Sequence, residues 1–155
     1  MKKMVFLFVI LIVLIVLFLI IYPSQRQNRR SQSIYIEIKD LKVKVQLANS
    51  LWEKASGLSG RKEMPKNEGM LFIFSRPGRH FFWMKNMNFP LDIIWLDENM
   101  KVVEIDKNVQ PDSFPQTYQS PGLIKYVLEI NAGLSDQYDI SKGDKCFLED
   151  VSNVF

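Results

Sequence analysis

Three ionisable side chains interrupt apolar runs that otherwise read as β-strands, and these are the residues best placed to do chemistry. Lys85 follows Phe81-Phe82-Trp83-Met84, Asp92 lies in Pro90-Leu91-Asp92-Ile93-Ile94, and Glu129 lies in Val127-Leu128-Glu129-Ile130. An isolated charge inside an apolar layer is costly, so each should find a partner or a ligand. On a regular strand Phe81, Trp83 and Lys85 share one face, and His80, Phe82, Met84 and Asn86 the other. The simplest arrangement pairs Lys85 with Asp92 or Glu129. Such a cluster either forms a buried ion pair that only fixes the fold, or lines a pocket and meets a ligand, because structural pairs perturb proton affinity as functional ones do. The candidate ligand-binding set is Trp83, Lys85, Asn86, Asp92 and Glu129, with Trp83 as an apolar wall. Asn86 has a simpler role open to it, a backbone hydrogen bond in the turn that follows.

Other chemistries find less support. His80 is the only histidine, and a surface or internally satisfied imidazole accounts for it as well as a general base does. No serine sits in a strained nucleophile turn, and a Cys146–His80 pair has no supporting spacing. His80, Met84 and Met87 are soft donors of the kind that suit Cu(I), but Met87 falls on the opposite strand face from the other two. Zinc-type ligand spacing and a glycine-rich phosphate loop are both missing from the sequence. No metal or cofactor is expected. Cys146 is the one cysteine, and within Lys-Cys-Phe-Leu it reads as a buried, inert thiol.

Short strands must position these residues. Ile34, Ile36 and Ile38, then Leu41, Val43, Val45 and Leu47, alternate with polar residues, as in two half-buried strands or one bent strand. Asn49 or Ser50 can cap a short helix whose Leu51, Trp52, Ala55 and Leu58 form an apolar face, carrying Trp52 into the core. Gly57 and Gly60 end it, and residues 61–68 form a polar loop. Strands are expected over 69–74, from His80 to Lys85 or Met87, over 91–96, over 101–106, over 123–130 and over 145–149, with turns at 76–79 and 97–99, a loop over 111–121 and a short helix or turn over 132–138. Trp52, Phe72, Phe74, Phe82 and Trp95 are the expected aromatic core, with Met70 and Met84 beside them. This pattern predicts a mainly β domain, a small antiparallel barrel or sandwich with one or two short helices.

A single N-terminal transmembrane helix is expected before that domain. Val5 to Tyr22 is an uninterrupted apolar run of 18 residues, just long enough to span a hydrocarbon core of roughly 30 Å. It is longer than a secretory signal's apolar region, and Tyr22-Pro23-Ser24-Gln25 is a poor cleavage sequence. The expected organisation is an anchor over 1–23, a polar linker over 24–33 and a domain over 34–155. Three positive charges flank the run on either side, counting the amino terminus. The closer placement of Lys2 and Lys3 favours an extracytoplasmic domain at the cell membrane. The first 33 residues carry five Lys and Arg and no acid. The chain's 20 basic and 17 acidic residues therefore leave 15 and 17 for the remainder, a net charge of −2. A slightly acidic domain lacks the basic stripe that nucleic-acid binding requires.

Several blocks occur in an order that resembles the domain of unknown function 192 family: Gly57-Leu58-Ser59-Gly60-Arg61, Glu68-Gly69-Met70-Leu71-Phe72, Phe82-Trp83-Met84-Lys85-Asn86, Pro90-Leu91-Asp92-Ile93-Ile94, Val127-Leu128-Glu129 with Ala132-Gly133, and Gly143-Asp144. The resemblance covers roughly Val43 to Glu149. It implies one compact β-rich domain, often behind an export signal or anchor, and no established activity. Met87 departs from the pattern, which would place a threonine there. Three functions are compatible with these features. The first is an anchored domain binding a small polar ligand, an envelope component or a protein. The second is an acid/base enzyme using Asp92 or Glu129 with Lys85, and the third a structural envelope scaffold. The expected partners are the lipid bilayer, through residues 5–22, and an envelope ligand or protein.

Overall fold

The computed structural model describes residues 10–18 and 34–150, which belong to two compact units, Met1–Gln32 and Ser33–Phe155. In the first unit, residues 10–18 form an exposed helix, α1. Among the described residues no helix is long and apolar enough to cross a membrane. Both ends of the expected span over 5–22, and the linker over 24–33, lie outside the described residues.

The second unit is built on a seven-stranded sheet. Strands β1 (Ile34–Ile38) and β2 (Leu41–Ala48) form the hairpin expected from their alternation, turning at Lys39 with a positive φ of 49°. A short helix, α2 (Leu51–Ser56), carries the chain across to β3 (Glu68–Gly78), which therefore lies parallel to β2. The other long strands are β5 (Leu91–Leu96), β6 (Val102–Val109), β8 (Ile124–Asn131) and β9 (Cys146–Asp150), and all their pairings are antiparallel. The spatial order is β6-β5-β8-β3-β2-β1-β9. The two edges meet at one end. Lys101 bridges Lys145, and backbone hydrogen bonds of 2.8 Å join Val102 N–H to Asp144, Gly143 N–H to Val102 and Cys146 N–H to Met100. The sheet thereby curls into a half-barrel. A separate ribbon pairs β4 (Phe81–Trp83) with β7 (Thr117–Gln119), after a 3₁₀ turn at Pro111–Ser113, and α3 (Leu134–Gln137) follows β8.

Two apolar clusters lie on opposite faces of the central strands. Ile36, Ile38, Val43, Leu71, Ile94, Leu128 and Cys146 pack on one face. Met70, Phe72, Ile93, Trp95 and Val127 pack on the other, beneath Leu58 and Met64 from the α2–β3 connection and Met84 from the end of β4. Every residue of β5 is buried, because its alternate side chains supply both clusters.

The structure corrects several sequence expectations. Trp52 is 80 % exposed and Leu51 88 % exposed, so α2 does not carry Trp52 inward. The helix has only six residues, held by a capping box between Ser50 and Glu53. Gly57, at φ 49°, then redirects the chain so that Leu58 takes the core position. The turn expected at 76–79 is a continuation of β3. A register shift between Ile73 and Gly78 absorbs Pro77, which has no N–H for the ladder. The strand expected from His80 to Lys85 or Met87 contains only Phe81–Trp83, and the loop over 111–121 holds β7, its partner.

Candidate functional site

The site grows from the register of three neighbouring strands. Met70 of β3 and Ile93 of β5 flank Glu129 of β8 in one row, so the Glu129 side chain emerges on the second cluster's face. The strands come close at this row because residue 69 is glycine: a Cβ there would lie 2.7 Å from the Glu129 carbonyl oxygen. Above the row, the C-terminal end of α2 and the stretch around β4 leave a pocket of about 280 Å³. Glu129 lies at its buried end, and Phe72, Phe74, Phe81, Phe82 and Trp83 supply aromatic walls. Phe72 and Phe82 meet edge to face at 4.8 Å, and Phe82 meets Trp95 in the same way at 5.4 Å, which fixes these walls. Phe81 and Trp83 are 58 % and 51 % exposed, so they belong to the mouth.

Glu129 is 6 % exposed and, among the described residues, its carboxyl has no hydrogen-bond or ion-pair partner. Burial pushes its pKa up to about 8, and the Arg61 charge offsets that only in part. Arg61 donates from Nη2 to Gln46 Oε1 at 2.6 Å and makes no hydrogen bond to Glu129. Near pH 7 the free pocket therefore holds a mostly protonated carboxylic acid. His80 also lines the pocket. Its ring stacks on Phe74 at 3.5 Å, Nε2 has no hydrogen-bond partner among the described residues, and burial together with Lys54 holds its pKa below the usual range. Lys54 Nζ lies 5.0 Å from the Phe74 ring centroid.

The sequence candidates separate into different roles. Trp83 and Glu129 line the pocket. Asp92 is paired with Ile130 in register and therefore sits on the opposite face of the sheet, fully buried. Its Oδ1 accepts from Asn108 N–H, and its Oδ2 accepts from Gly133 N–H, Ser135 N–H and the Ser135 hydroxyl, at 2.6–3.0 Å. Those bonds tie β5 to β6 and to the start of α3. Lys85 is exposed and pairs with neither Asp92 nor Glu129; its carbonyl accepts from the Ser59 hydroxyl. Asn86 takes a positive φ of 57°, and its carbonyl accepts from Gly60 N–H. Lys85 and Asn86 thus latch the turn after β4 to the Ser59–Gly60 loop. Among the soft donors, Met84 is buried in the second cluster and only His80 and Met87 reach the pocket. No group of three or more His, Cys, Asp or Glu among the described residues is arranged to hold a metal. Sequence reasoning missed Lys54 and the end of α2, since nothing in a short capped helix signals which strand it will overhang.

The DUF192 pattern, described as "Uncharacterized ACR", matches residues 34–148. A crystal structure of a protein of unknown function from Novosphingobium aromaticivorans is similar at 31% identity and a TM-score of 0.70, covering 77% of this chain and 89% of its own. A protein from Sinorhizobium meliloti whose description suggests a transcription regulator is similar at 28% identity and a TM-score of 0.70, covering 80% of this chain and 98% of its own. Among curated proteins none matches. The chain belongs to the DUF192 family, whose pattern covers nearly all of the described domain.

Proposed function

We propose that this protein is a membrane-anchored, extracytoplasmic binding domain that holds a small polar ligand over Glu129, between aromatic walls. The apolar run Val5–Tyr22 and its basic flanks support the anchor. One observation carries the binding reading: a buried carboxyl without a hydrogen-bond or ion-pair partner among the described residues lies at the end of an open, aromatic-lined pocket. A scaffold would seal or pair such a group, because an unpaired buried polar group destabilises the fold with no return. Trp83 and Glu129 touch the ligand, whereas Lys85, Asn86 and Asp92 hold the surrounding backbone in place. A thermal-shift screen of the full chain in detergent against envelope fragments and small polar molecules tests this. Glu129-dependent stabilisation by a ligand is expected, and stabilisation equal in wild type and Glu129→Gln would remove Glu129 from the site.

An acid/base enzyme is the second reading, favoured by the same raised pKa. A carboxyl near pKa 8 suits proton donation around neutrality. In that case Glu129 is the acid and neither Asp92 nor Lys85 takes part, and Glu129→Gln would abolish turnover while preserving ligand binding.

A further inference from the structure

We infer that the Glu129 pocket takes a small organic ammonium ion, its charged end against the Glu129 carboxylate and its apolar body among the aromatic rings. This rests on the binding reading above and specifies the ligand's chemistry. The pocket's polar capacity is narrow. The Ser56 hydroxyl donates to Trp52 carbonyl, and the Ser59 hydroxyl to Lys85 carbonyl, so both protons are already used. A polyhydroxylated ligand would find acceptors but few free hydroxyl donors, whereas a cationic head needs acceptors alone. Aromatic faces carry negative quadrupole density and attract cations. Lys54 already places its ammonium 5.0 Å from the Phe74 centroid, at the pocket's rim. The carbonyls of Lys54 and Ala55, at the end of α2, accept no hydrogen bond among the described residues, and both residues line the pocket. At about 280 Å³ the space is at the small end for ligand pockets and suits one short-chain amine, free or as the headgroup of a larger molecule.

Charge linkage gives this proposal its signature. The charged or titratable groups around Glu129 are Arg61 from the loop after α2, Lys54 from α2 and His80 before β4; its strand neighbours Met70 and Ile93 are uncharged. An ammonium ion binds the ionised carboxylate, so a proton leaves Glu129 on binding at pH values below its pKa. Affinity should then rise about tenfold from pH 6 to 7, about fivefold more from pH 7 to 8, and level off above.

The test is NMR titration and calorimetry of the full chain in detergent with n-butylammonium, n-butanol and butyrate as probes, at pH 6, 7 and 8. Expected are pocket-residue shifts with butylammonium, proton release at pH 7 and the stated pH dependence. Glu129→Gln should weaken binding at pH 8 by at least tenfold, and Lys54→Met should tighten it by removing a like charge. Vesicles containing phosphatidylethanolamine, set against phosphatidylglycerol vesicles, distinguish a lipid headgroup from a free amine as the source. If butanol or butyrate binds as tightly as butylammonium, the ammonium assignment falls while the pocket stands as a binding site. If none of the three perturbs pocket residues, the assignment falls together with the reading beneath it.

Discussion

Replacing Glu129 by glutamine isolates the cost of the buried carboxyl. The amide has nearly the same shape and no charge to desolvate. In the folded protein the Glu129 pKa is about 8, against a reference value of 4.5. The unfolded chain therefore releases this proton first, and wild-type stability falls as pH rises between the two values. Below pH 4.5 both states are protonated and the penalty is absent; above about 8 it is fully developed. Between pH 5 and pH 8 the penalty grows by roughly 1.4 kcal/mol per pH unit, which makes about 4 kcal/mol by pH 9. Glu129→Gln should thus gain on wild type by that amount across the range. For a domain of this size the Tm difference should widen by roughly 10–20 °C. Thermal denaturation followed by circular dichroism at half-unit pH steps reads this directly. A gap between wild type and variant that stays constant from pH 5 to 9 would show that Glu129 titrates normally, and the polarity assigned to the pocket would be wrong.

Four further outcomes test the frame around the site. Gly69→Ala should destabilise by about 1–3 kcal/mol in chemical denaturation, since its Cβ would press on the Glu129 backbone oxygen. Asp92→Asn should cost about 2–4 kcal/mol at neutral pH, because the amide cannot accept from all four donors that Asp92 satisfies; an unchanged denaturation midpoint would contradict that network. Trp52→Ala should stay within about 0.5 kcal/mol of wild type, whereas Trp95→Ala should cost about 3–5 kcal/mol, the reverse of what two equally core tryptophans would give. The Cys146 thiol, 2 % exposed and with its pKa pushed up to about 12 by burial, should resist iodoacetamide at pH 8 until the protein is unfolded.

Strand placement was legible where one face is buried and one is wet. The hairpin of β1 and β2 follows directly from its alternation, and β5 stood out as an apolar run between turn residues. Legibility failed where long-range contacts override local pattern. Leu51, Trp52, Ala55 and Leu58 have helical spacing, yet the helix ends before Leu58 and only that residue is buried. β7 lies in a proline-rich segment and exists only because β4 pairs with it. The site divides in the same way. Sequence marks Asp92 and Glu129 as ionisable groups in apolar strands, but not which sheet face each occupies. Parity along one strand is readable; the register between β5 and β8 is not, and that register places the two carboxyls on opposite sides.

That opposition separates architecture from chemistry within one sheet. Asp92 faces the interior of the half-barrel and its oxygens are filled by four donors from β6 and the α3 region. Glu129 faces the other way, and its carboxyl has no hydrogen-bond partner among the described residues. The fold plainly has the means to satisfy a buried carboxyl, since it does so one strand away. With no donor to Glu129 among the described residues, and Arg61 bonded to Gln46, its hydrogen-bonding capacity stays open to the pocket. The resulting instability is largest when the carboxyl ionises, which is also when it would hold an ammonium ion best. A cation entering the pocket would recover part of that desolvation cost, and folding stability and ligand affinity would then be linked through one proton.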